Sequence, residues 1–315
     1  MVGIHIPVLF HQVLDGLRVR PGGQYIDATV GGGGHAAGIL AALSPDGRLL
    51  GLDRDPAAIE TARARLAADA ARVVLVHSAF DHLAQIARAN RCVPTNGVLF
   101  DLGFSSLQLD NPERGFAFGT DGPLDMRFDP AGGGDTAADL VNYLSVEELT
   151  ALLFRYGEEK QARRITKAIV AARPLHTTKE LASLVERAVG RGHQRHRHRR
   201  IHPATRTFQA LRIAVNEELD ILEAALPQAV EILAPGGRLA VISFHSLEDR
   251  LVKRFLRRES RDCVCPPEAP ACMCDHRATL QLIVRKPIRP TADEVAANPR
   301  ARSARLRVAE RMNCV

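Results

Sequence analysis

A run of four glycines constrains this fold more than any other feature of the sequence. Gly31 to Gly34 follow the apolar stretch 25–30 and precede a second apolar stretch at 36–40. That order predicts a buried strand, a tight loop and a helix start. Another apolar stretch ends in Asp53, 20 residues after Gly33. Loop N–H groups and a carboxylate at this spacing suit a nucleotide-type ligand, and Asp53 is the first candidate to accept the ribose hydroxyls.

Two cofactors fit this loop, and Asp27 distinguishes between them. The residues Gly31-x-Gly33-x-x-Ala36 formally match the dinucleotide fingerprint, which by itself would indicate NAD. Asp27 stands four residues before the first glycine, where its charge would repel a pyrophosphate and attract the ammonium group of a methionine moiety. The residues therefore favour S-adenosylmethionine (SAM) over NAD. The third alternative is a strand-to-helix turn without any ligand, which two glycines would already satisfy.

Composition and length place the chain among soluble globular proteins. Its 315 residues are 46% hydrophobic, enough to bury the core of one large domain or two. The sequence shows no stretch of 18 uncharged apolar residues and no charged segment leading into an apolar one at its start. These features predict a soluble cytoplasmic protein without a membrane partner. They carry no signal for an oligomeric state.

Clustered arginines indicate a polyanionic partner. The formal net charge is +6, and no acidic residue lies between Glu186 and Glu217. A general preference for arginine would spread these residues along the chain, so the clustering favours phosphate binding over an ordinary solvated loop. The arginines of this stretch are Arg187, Arg191, Arg195, Arg197, Arg199, Arg200, Arg206 and Arg212.

Strands alternate with helices over residues 25–90, which predicts an α/β fold with a mainly parallel sheet. The fourth strand ends at Asp101, and the next one, residues 237–244, comes about 135 residues later. Ordinary crossovers are much shorter, so roughly 90 to 100 residues are inserted. We expect three segments: 1–107 as the first part of the main domain, 108–201 as a lid loop and a helical subdomain, and 202–315 as the second part.

Local patterns place several elements in and after the insert. Residues 108–135 are rich in glycine and proline but contain apolar anchors, which favours a lid or a substrate-facing loop over a free linker. The pairs Ser145/Glu148 and Thr177/Glu180 have capping-box spacing. Residues 203–233 predict one long amphipathic helix. The ranges 279–284 and 305–309 predict two further strands.

Long motifs make this sequence similar to the RsmH (MraW) family, whose members are SAM-dependent methyltransferases acting on the N4 of a cytidine in the decoding region of small-subunit (16S) rRNA. The resemblance covers nearly the whole chain, and it departs from the family pattern at Gly32 and in the richly basic stretch 191–200. The motifs that carry it span residues 5–9, 25–27, 33–35, 47–56, 101–110, 113–116, 121–127, 202–210, 243–250 and 298–303.

The resemblance implies a class I (Rossmann-like) methyltransferase fold with an inserted all-α subdomain, and it assigns residues to the cofactor. Small-subunit rRNA, either free or in the assembled subunit, is the implied partner. Together with Asp27, which the charge argument selects, the expected SAM contacts are Gly33, Gly34, His35, Asp53, Phe80, Asp101 and Gln108.

The segment Asp101-Leu102-Gly103-Phe104 carries the expected chemistry. It offers a carboxylate, a backbone carbonyl and an aromatic face, and it resembles the Asp/Asn-Pro-Pro-aromatic motif of amino-group methyltransferases. We expect Asp101 and the Leu102 carbonyl to orient a cytosine N4 amine. Ser105 follows in the same segment and is a further catalytic candidate.

Other candidates lie after the fifth predicted strand and in the basic regions. His245 is expected at the catalytic rim, whereas Ser246 and Asp249 have the spacing of a helix cap as well as of substrate contacts. Candidate RNA contacts are Arg206, Arg250 and the basic residues 191–200, with Phe116, Phe118 and Phe128 as stacking partners or as anchors to the core.

Four cysteines leave two interpretations open. Cys263-x-Cys265 and Cys272-x-Cys274 form two pairs. In a reducing compartment such pairs indicate zinc rather than disulfides. The gap of one residue within each pair differs from the usual two, which favours ordinary reduced cysteines over a structural zinc. A metal site of His193, His196 and His198 is disfavoured by the neighbouring arginines, and methyl transfer itself needs no metal.

Three other functions use part of these features. An NAD-linked oxidoreductase would use the glycine loop and Asp53 but would leave Asp27, Asp101 and the arginines without a role. A non-catalytic RNA-binding protein would use the arginines alone. A DNA amino-methyltransferase stays open, because phosphate contacts to DNA and to RNA look alike in composition.

Overall fold

The chain divides into two compact units in this computed structural model, which describes residues 7–190, 202–266, 268–269 and 271–313. The first unit comprises Met1–Gly103 with Leu219–Val315, and the second comprises Phe104–Glu218. The sequence-based division returns to the main domain at residue 202. The structural division returns later, because the helix Thr205–Asn216 packs against the helix Val146–Gly157 of the second unit.

The first unit contains one seven-stranded sheet with the order β3-β2-β1-β4-β5-β7-β6. Strands β1 to β5 pair in parallel, whereas β7 runs antiparallel to both β5 and β6. The strands are β1 Gln24–Asp27, β2 Arg48–Asp53, β3 Val73–His77, β4 Thr95–Asp101, β5 Leu233–Ser243, β6 Leu280–Leu282 and β7 Arg305–Arg311.

Helices connect these strands and build the second unit. Those before the insert are α1 Phe10–Leu17, α2 Gly34–Leu43, α3 Pro56–Arg65 and α4 Leu83–Ala89. Those of the second unit are α5 Ser106–Asp110, α6 Ala137–Tyr143, α7 Val146–Gly157, α8 Ala162–Ala171, α9 Thr178–Val189 and α10 Thr205–Asn216. The last three are α11 Glu218–Ile232, α12 Ser246–Glu259 and α13 Ala292–Ala297. No helix of the described ranges is long and apolar enough to cross a membrane.

Both faces of the sheet are covered, as the nearly continuous burial along β1, β2 and β4 requires. Ile26 and Leu50 face one apolar cluster, which helices α4, α11 and α12 complete. Tyr25 and Leu49 face a second cluster, completed by helices α1, α2 and α3. These two layers confirm the predicted α/β class with a mainly parallel sheet.

The second unit has its own core, which includes apolar side chains of the stretch predicted to be a lid or a substrate-facing loop. Phe116, Leu124 and Met126 from the glycine-rich stretch are buried with apolar residues of helices α6 to α10. The capping boxes predicted at Ser145/Glu148 and Thr177/Glu180 are confirmed. Residues 115–128 are therefore anchored by the burial of these three side chains, although they form no regular element.

One predicted element is wrong in its extent. The single helix expected over residues 203–233 is two helices, α10 and α11, because Glu217 takes a left-handed conformation with φ of 51°. Asn216 explains the break: its side-chain amide donates to the Met126 carbonyl at 2.7 Å, and its oxygen accepts from the Phe128 N–H at 2.7 Å. A tertiary contact thus ends the helix where the sequence shows neither glycine nor proline.

Candidate functional site

Three carboxylates end three neighbouring parallel strands. Asp27 ends β1, Asp53 ends β2 and Asp101 ends β4, and β1 lies between the other two. The carboxyl ends of parallel strands share one edge of the sheet. The connections leave β1 toward β2 on one side, with β4 on the other, and such a switch point forms the crevice in which α/β proteins bind ligands.

Asp27 is a buried carboxylate with one oxygen uncommitted. The side chain is 1% exposed, and its Oδ1 accepts a hydrogen bond from the Thr29 N–H at 3.1 Å. Its Oδ2 has no hydrogen-bond partner among the described residues. Burial raises the pKa of Asp27 to about 7, against the lowering effects of His35 and of the Thr29 N–H. A buried acceptor in this state fits a cationic donor from a ligand.

His35 and Asp101 add further unsatisfied atoms at the same edge. His35 lies in the first turn of α2, and its Nε2 is 3.5 Å from Asp101 Oδ2. That separation is too long for a good hydrogen bond. Within the described part of the chain, both ring nitrogens of His35 and Oδ1 of Asp101 are buried without a partner. Buried polar atoms normally have partners, so this group indicates that a polar ligand completes it.

Asp53 is oriented by the backbone. Its Oδ2 accepts from the Gly31 N–H and its Oδ1 from the Asp55 N–H, each at 2.8 Å. Burial raises the pKa of Asp53 to about 6, although these two hydrogen bonds act in the opposite direction. Each carboxylate oxygen has a second lone pair, so two hydroxyl donors of a ribose fit this group.

The glycines of the loop 31–34 are subject to different structural constraints. Gly33 has a φ of 75° and precedes α2 as its N-cap. A Cβ on Gly34 would lie 2.5 Å from Cγ of Pro7, so packing alone excludes a larger residue there. A Cβ on Gly32 would meet only Thr61, at 3.8 Å. This open position explains how the loop accommodates variation at residue 32.

Phe80 begins a short 3₁₀-helix after β3 and packs edge-to-face on Phe100, with ring centroids 5.2 Å apart. The ring is only partly buried. This position keeps one part of the ring in the core and another accessible, and its contact with an adenine stays a prediction.

The segment after Asp101 starts α5. The Leu102 N–H donates to the Ile242 carbonyl at 3.0 Å, which ties the segment to β5. Ser105 and Gln108 form a capping box: the Ser105 N–H donates to Gln108 Oε1 at 2.8 Å, and Ser105 Oγ accepts from the Gln108 N–H at 3.3 Å. Both side chains therefore have a structural use, which the capping-box spacing of Ser105 and Gln108 indicates and which the sequence analysis missed.

The cap of α12 differs from the prediction. His245, not Ser246, is the N-cap, and its Nδ1 accepts from the Glu248 N–H while Glu248 Oε2 accepts from the His245 N–H. Glu248 rather than Asp249 completes this capping box. The capping contact accounts for His245 without a catalytic task, and its catalytic role stays a prediction.

Asp249 instead binds the antiparallel strand β7. It accepts from Arg305 and Arg307, each at 2.8 Å. Burial raises its pKa, but the hydrogen bonds and charges of these two arginines outweigh that effect and hold the pKa below its ordinary value. The substrate contact considered for Asp249 is therefore replaced by an internal ion-pair network.

The residues expected to contact RNA are mainly arginines. Arg191, Arg195, Arg197, Arg199 and Arg200 are outside the described residues. Arg206 is exposed on α10, and its Nη1 donates to the Glu158 carbonyl at 3.4 Å. Arg250 is exposed on α12.

Phe116 does not suit its expected stacking role. It is 7% exposed and stacks between Phe104 and Phe128, with centroid distances of 6.0 and 5.6 Å. The ring is thus part of the core of the second unit. Phe104 is 39% exposed, and the guanidinium of Arg212 lies 4.8 Å from its ring centroid.

Thr29 is a site residue that the sequence interpretation missed. Its Oγ1 accepts from the Asp101 N–H at 2.6 Å, and its own N–H donates to Asp27. Thr29 thereby connects the carboxylate of Asp27 at the end of β1 to the backbone of Asp101 at the end of β4. The sequence signal for Thr29 is its hydroxyl side chain two residues after Asp27, the acid that ends β1.

Titration of Asp27 and Asp53 predicts a pH effect on cofactor binding. Burial raises the pKa of Asp27 to about 7 and of Asp53 to about 6, so both lose their charge as the pH falls from 7.5 to 5. Ionised carboxylates attract a cation and accept hydroxyl donors best. We expect the Kd for SAM to rise by up to about tenfold per pH unit below each pKa. Calorimetric titrations across this range measure the effect, and a constant Kd would contradict it.

Comparisons with known proteins agree over nearly the whole chain. The sequence model of the MraW methylase family matches residues 3–312. A protein of Thermomicrobium roseum named ribosomal RNA small subunit methyltransferase H is 55% identical over 311 residues, which cover 98% of this chain and 94% of the relative. Proteins of the same name from Dehalococcoides mccartyi and Heliobacterium modesticaldum are 52% and 51% identical, covering 98% and 99% of this chain and 86% and 100% of the relatives.

Proposed function

We propose that this chain, which belongs to the MraW methylase family, transfers a methyl group from SAM to the exocyclic N4 of a cytidine in the decoding region of 16S rRNA. The proposal rests on one observation above all. Buried polar atoms of Asp27, His35 and Asp101 lack partners within the described residues, and all three side chains stand at the carboxyl ends of strands or the start of a helix. Such a group supports the binding of a polar ligand at this edge of the sheet.

SAM suits the donors and acceptors of this group. In the proposed assignment Asp27 accepts from the ammonium of the methionine moiety, the backbone near Gly33 approaches that moiety, and Asp53 accepts from the ribose hydroxyls. Phe80 flanks the adenine, and Gln108 is a further contact. SAM supplies an electrophilic methyl group on a positively charged sulfur, so the protein need only bind it, exclude water and orient the acceptor.

The acceptor nitrogen needs help because its lone pair is delocalised into the cytosine ring. We assign this help to Asp101 and to the Leu102 carbonyl, which accept the two N4–H groups and turn the lone pair out of the ring plane. Asp101 also stands beside His35. This pair is our candidate to hold the proton that N4 must lose once it has gained the methyl group.

RNA binding is assigned to the insert and to the basic surface of α12. The arginines of residues 191–200, together with Arg206 and Arg250, supply phosphate contacts that do not depend on sequence. A structured cytidine must leave its stack before its amine can react. Phe104, exposed and paired with Arg212, replaces Phe116 as our candidate for stacking on a displaced base. The proposed place of action is the cytoplasm.

Transfer of labelled methyl groups distinguishes this proposal from its alternatives. Purified protein is incubated with methyl-labelled SAM in three separate reactions, which contain free 16S rRNA, assembled small subunits or duplex DNA. We expect label in one or both of the first two substrates and none in the DNA. Label in duplex DNA alone would favour a DNA amino-methyltransferase, and binding of NADH in place of SAM would favour an oxidoreductase.

A non-catalytic RNA-binding protein makes a different prediction. Such a protein would not gain thermal stability from SAM, because a ligand stabilises only a fold that binds it. We expect the melting temperature of the purified protein to rise with SAM concentration. An unchanged melting temperature together with tight RNA binding would support the non-catalytic alternative.

A further inference from the structure

Four cysteine side chains outside the methyl-transfer residues converge on one point. Cys263, Cys265, Cys272 and Cys274 lie in the connection between α12 and β6, and their sulfur atoms are all within 4.8 Å of one another. The Sγ atoms of Cys272 and Cys274 are 3.6 Å apart, and those of Cys274 and Cys263 are 3.9 Å apart. All four are free thiols.

These separations match the edges of a metal-centred tetrahedron. A zinc ion bound by four thiolates at about 2.3 Å places neighbouring sulfurs about 3.8 Å apart. The distances of 3.6 and 3.9 Å fall on either side of that value. Sequence spacing alone disfavoured this site, because each pair is separated by one residue. The structure removes that objection, since the second pair folds back against the first.

Backbone donors support the sulfurs in a reciprocal pattern. The N–H of Val264, between the first two cysteines, donates to Sγ of Cys274 at 3.4 Å. The N–H of Met273, between the other two, donates to Sγ of Cys265 at 3.4 Å. Such outer hydrogen bonds orient thiolate ligands and offset their negative charge. Each pair thus stabilises a sulfur of the opposite pair.

The connection has little else to hold its shape. It runs from Glu259 to Leu280 without a helix or strand in its described residues, and the side chains of Val264 and Met273 are exposed. Its base is closed by the Thr279 N–H, which donates to the Glu259 carbonyl at 2.9 Å. Irregular connections of this length are uncommon in compact domains. A metal that crosslinks two distant points supplies the missing constraint.

We propose that Cys263, Cys265, Cys272 and Cys274 bind one structural Zn²⁺. Binding replaces the four thiol protons with four Zn–S bonds and releases those protons to solvent, with no change of oxidation state. Four thiolates in a closed tetrahedron suit zinc, and a site with no open position serves structure rather than catalysis. His276 lies in the same connection, but its Nδ1 is 2.9 Å from the Arg261 carbonyl.

The zinc site is separate from the methyl-transfer residues. Helix α12 begins after His245 at the carboxyl edge of the sheet, and the connection begins at its other end, 14 residues later. A helix of that length spans about 21 Å. Loss of zinc should therefore destabilise this connection and leave the affinity for SAM within about threefold of the wild type, since no SAM ligand is removed.

Metal analysis of the purified, untagged protein tests the proposal. We expect about one zinc and no stoichiometric iron per chain in the wild type. Cys272→Ser and the double variant Cys263→Ser/Cys272→Ser should lose most of the zinc. The matched control is Cys92→Ser, which removes a thiol buried in the sheet core, and it should retain zinc as the wild type does.

Cobalt substitution in the wild type tests the proposal even if the variants do not fold. Zinc is removed from the wild type with a chelator under reducing conditions, and cobalt(II) is added. Intense visible absorption of tetrahedral cobalt thiolate is the expected result. The proposal is overturned if the wild type contains no zinc and takes up no cobalt, if iron occupies the site, or if folded Cys272→Ser keeps as much zinc as the control.

Discussion

Asp101→Asn is expected to lower kcat by about 10²- to 10⁴-fold at saturating SAM, the usual range for a group that positions or accepts a reacting proton. The carboxylate of Asp101 is our acceptor for the cytosine amine, and an amide at the same place presents a donor toward that amine. The substitution keeps the size of the side chain and the backbone contact to Thr29. Single-turnover methylation of small-subunit rRNA measures the effect.

Asp69→Asn provides the control for this loss. The two carboxylates are similarly exposed, at 26% for Asp101 and 31% for Asp69, and each lies beside one basic side chain, His35 and Arg72 respectively. The control should keep its turnover within about twofold, as surface substitutions away from a site do. An Asp101→Asn protein that binds SAM and methylates at the wild-type rate would remove Asp101 from the mechanism.

Asp27→Asn is expected to have two opposite effects, on SAM binding and on stability. It should raise the Kd for SAM by about 10²-fold, because truncating one partner of a buried charge pair costs several kilocalories per mole. Without SAM, the same variant should be more stable than the wild type above pH 7. Asparagine resembles the protonated acid at every pH and carries no buried charge.

The pH dependence of this stability difference has a definite sign. Burial raises the folded-state pKa of Asp27 to about 7, well above the value of about 3.9 in an unfolded chain. The folded protein therefore binds this proton more tightly than the unfolded chain does. The stabilisation that protonated Asp27 provides is fully present below pH 4 and is lost as the pH rises through 7. The gain of the variant should be small near pH 4 and should reach a melting-temperature difference of at least about 2 °C near pH 8.

Asp55→Asn is the matched control, because Asp55 is also a 1% exposed carboxylate at the same side of the sheet. Its Oδ1 accepts from the Ala57 N–H and caps α3, a role that asparagine also fills. This control should keep the Kd for SAM within about tenfold. If Asp27→Asn binds SAM as tightly as the wild type, the ammonium assignment fails. If its stability gain does not grow with pH, the buried-charge argument fails.

Sequence predicted the parts of this fold that depend on local pattern. Apolar runs that end in Asp27, Asp53 and Asp101 define strands and their carboxyl edge, because parallel strands connected by helices must share that edge. Capping boxes such as Ser145/Glu148 are local as well. The candidate carboxylates of the site were therefore found before the structure, and their partners were not.

Tertiary contacts decided what the sequence could not show. Asn216 ends α10 because it binds the backbone of a distant loop, a contact that no helical pattern reveals. His245 caps α12 ahead of the favoured Ser246, since Glu248 returns to the backbone at residues 244 and 245. The ring of Phe116 is buried by Phe104 and Phe128, so its aromatic character gave no information on accessibility.

The position of the transferred methyl group tests the central claim most directly. Small-subunit rRNA that lacks the modification is incubated with this protein and methyl-labelled SAM, digested to nucleosides and separated by mass spectrometry. Our account predicts a single labelled product, a cytidine methylated on N4, from one site in the decoding region. Label on ring carbon C5, on another base, or nowhere in the rRNA would contradict it.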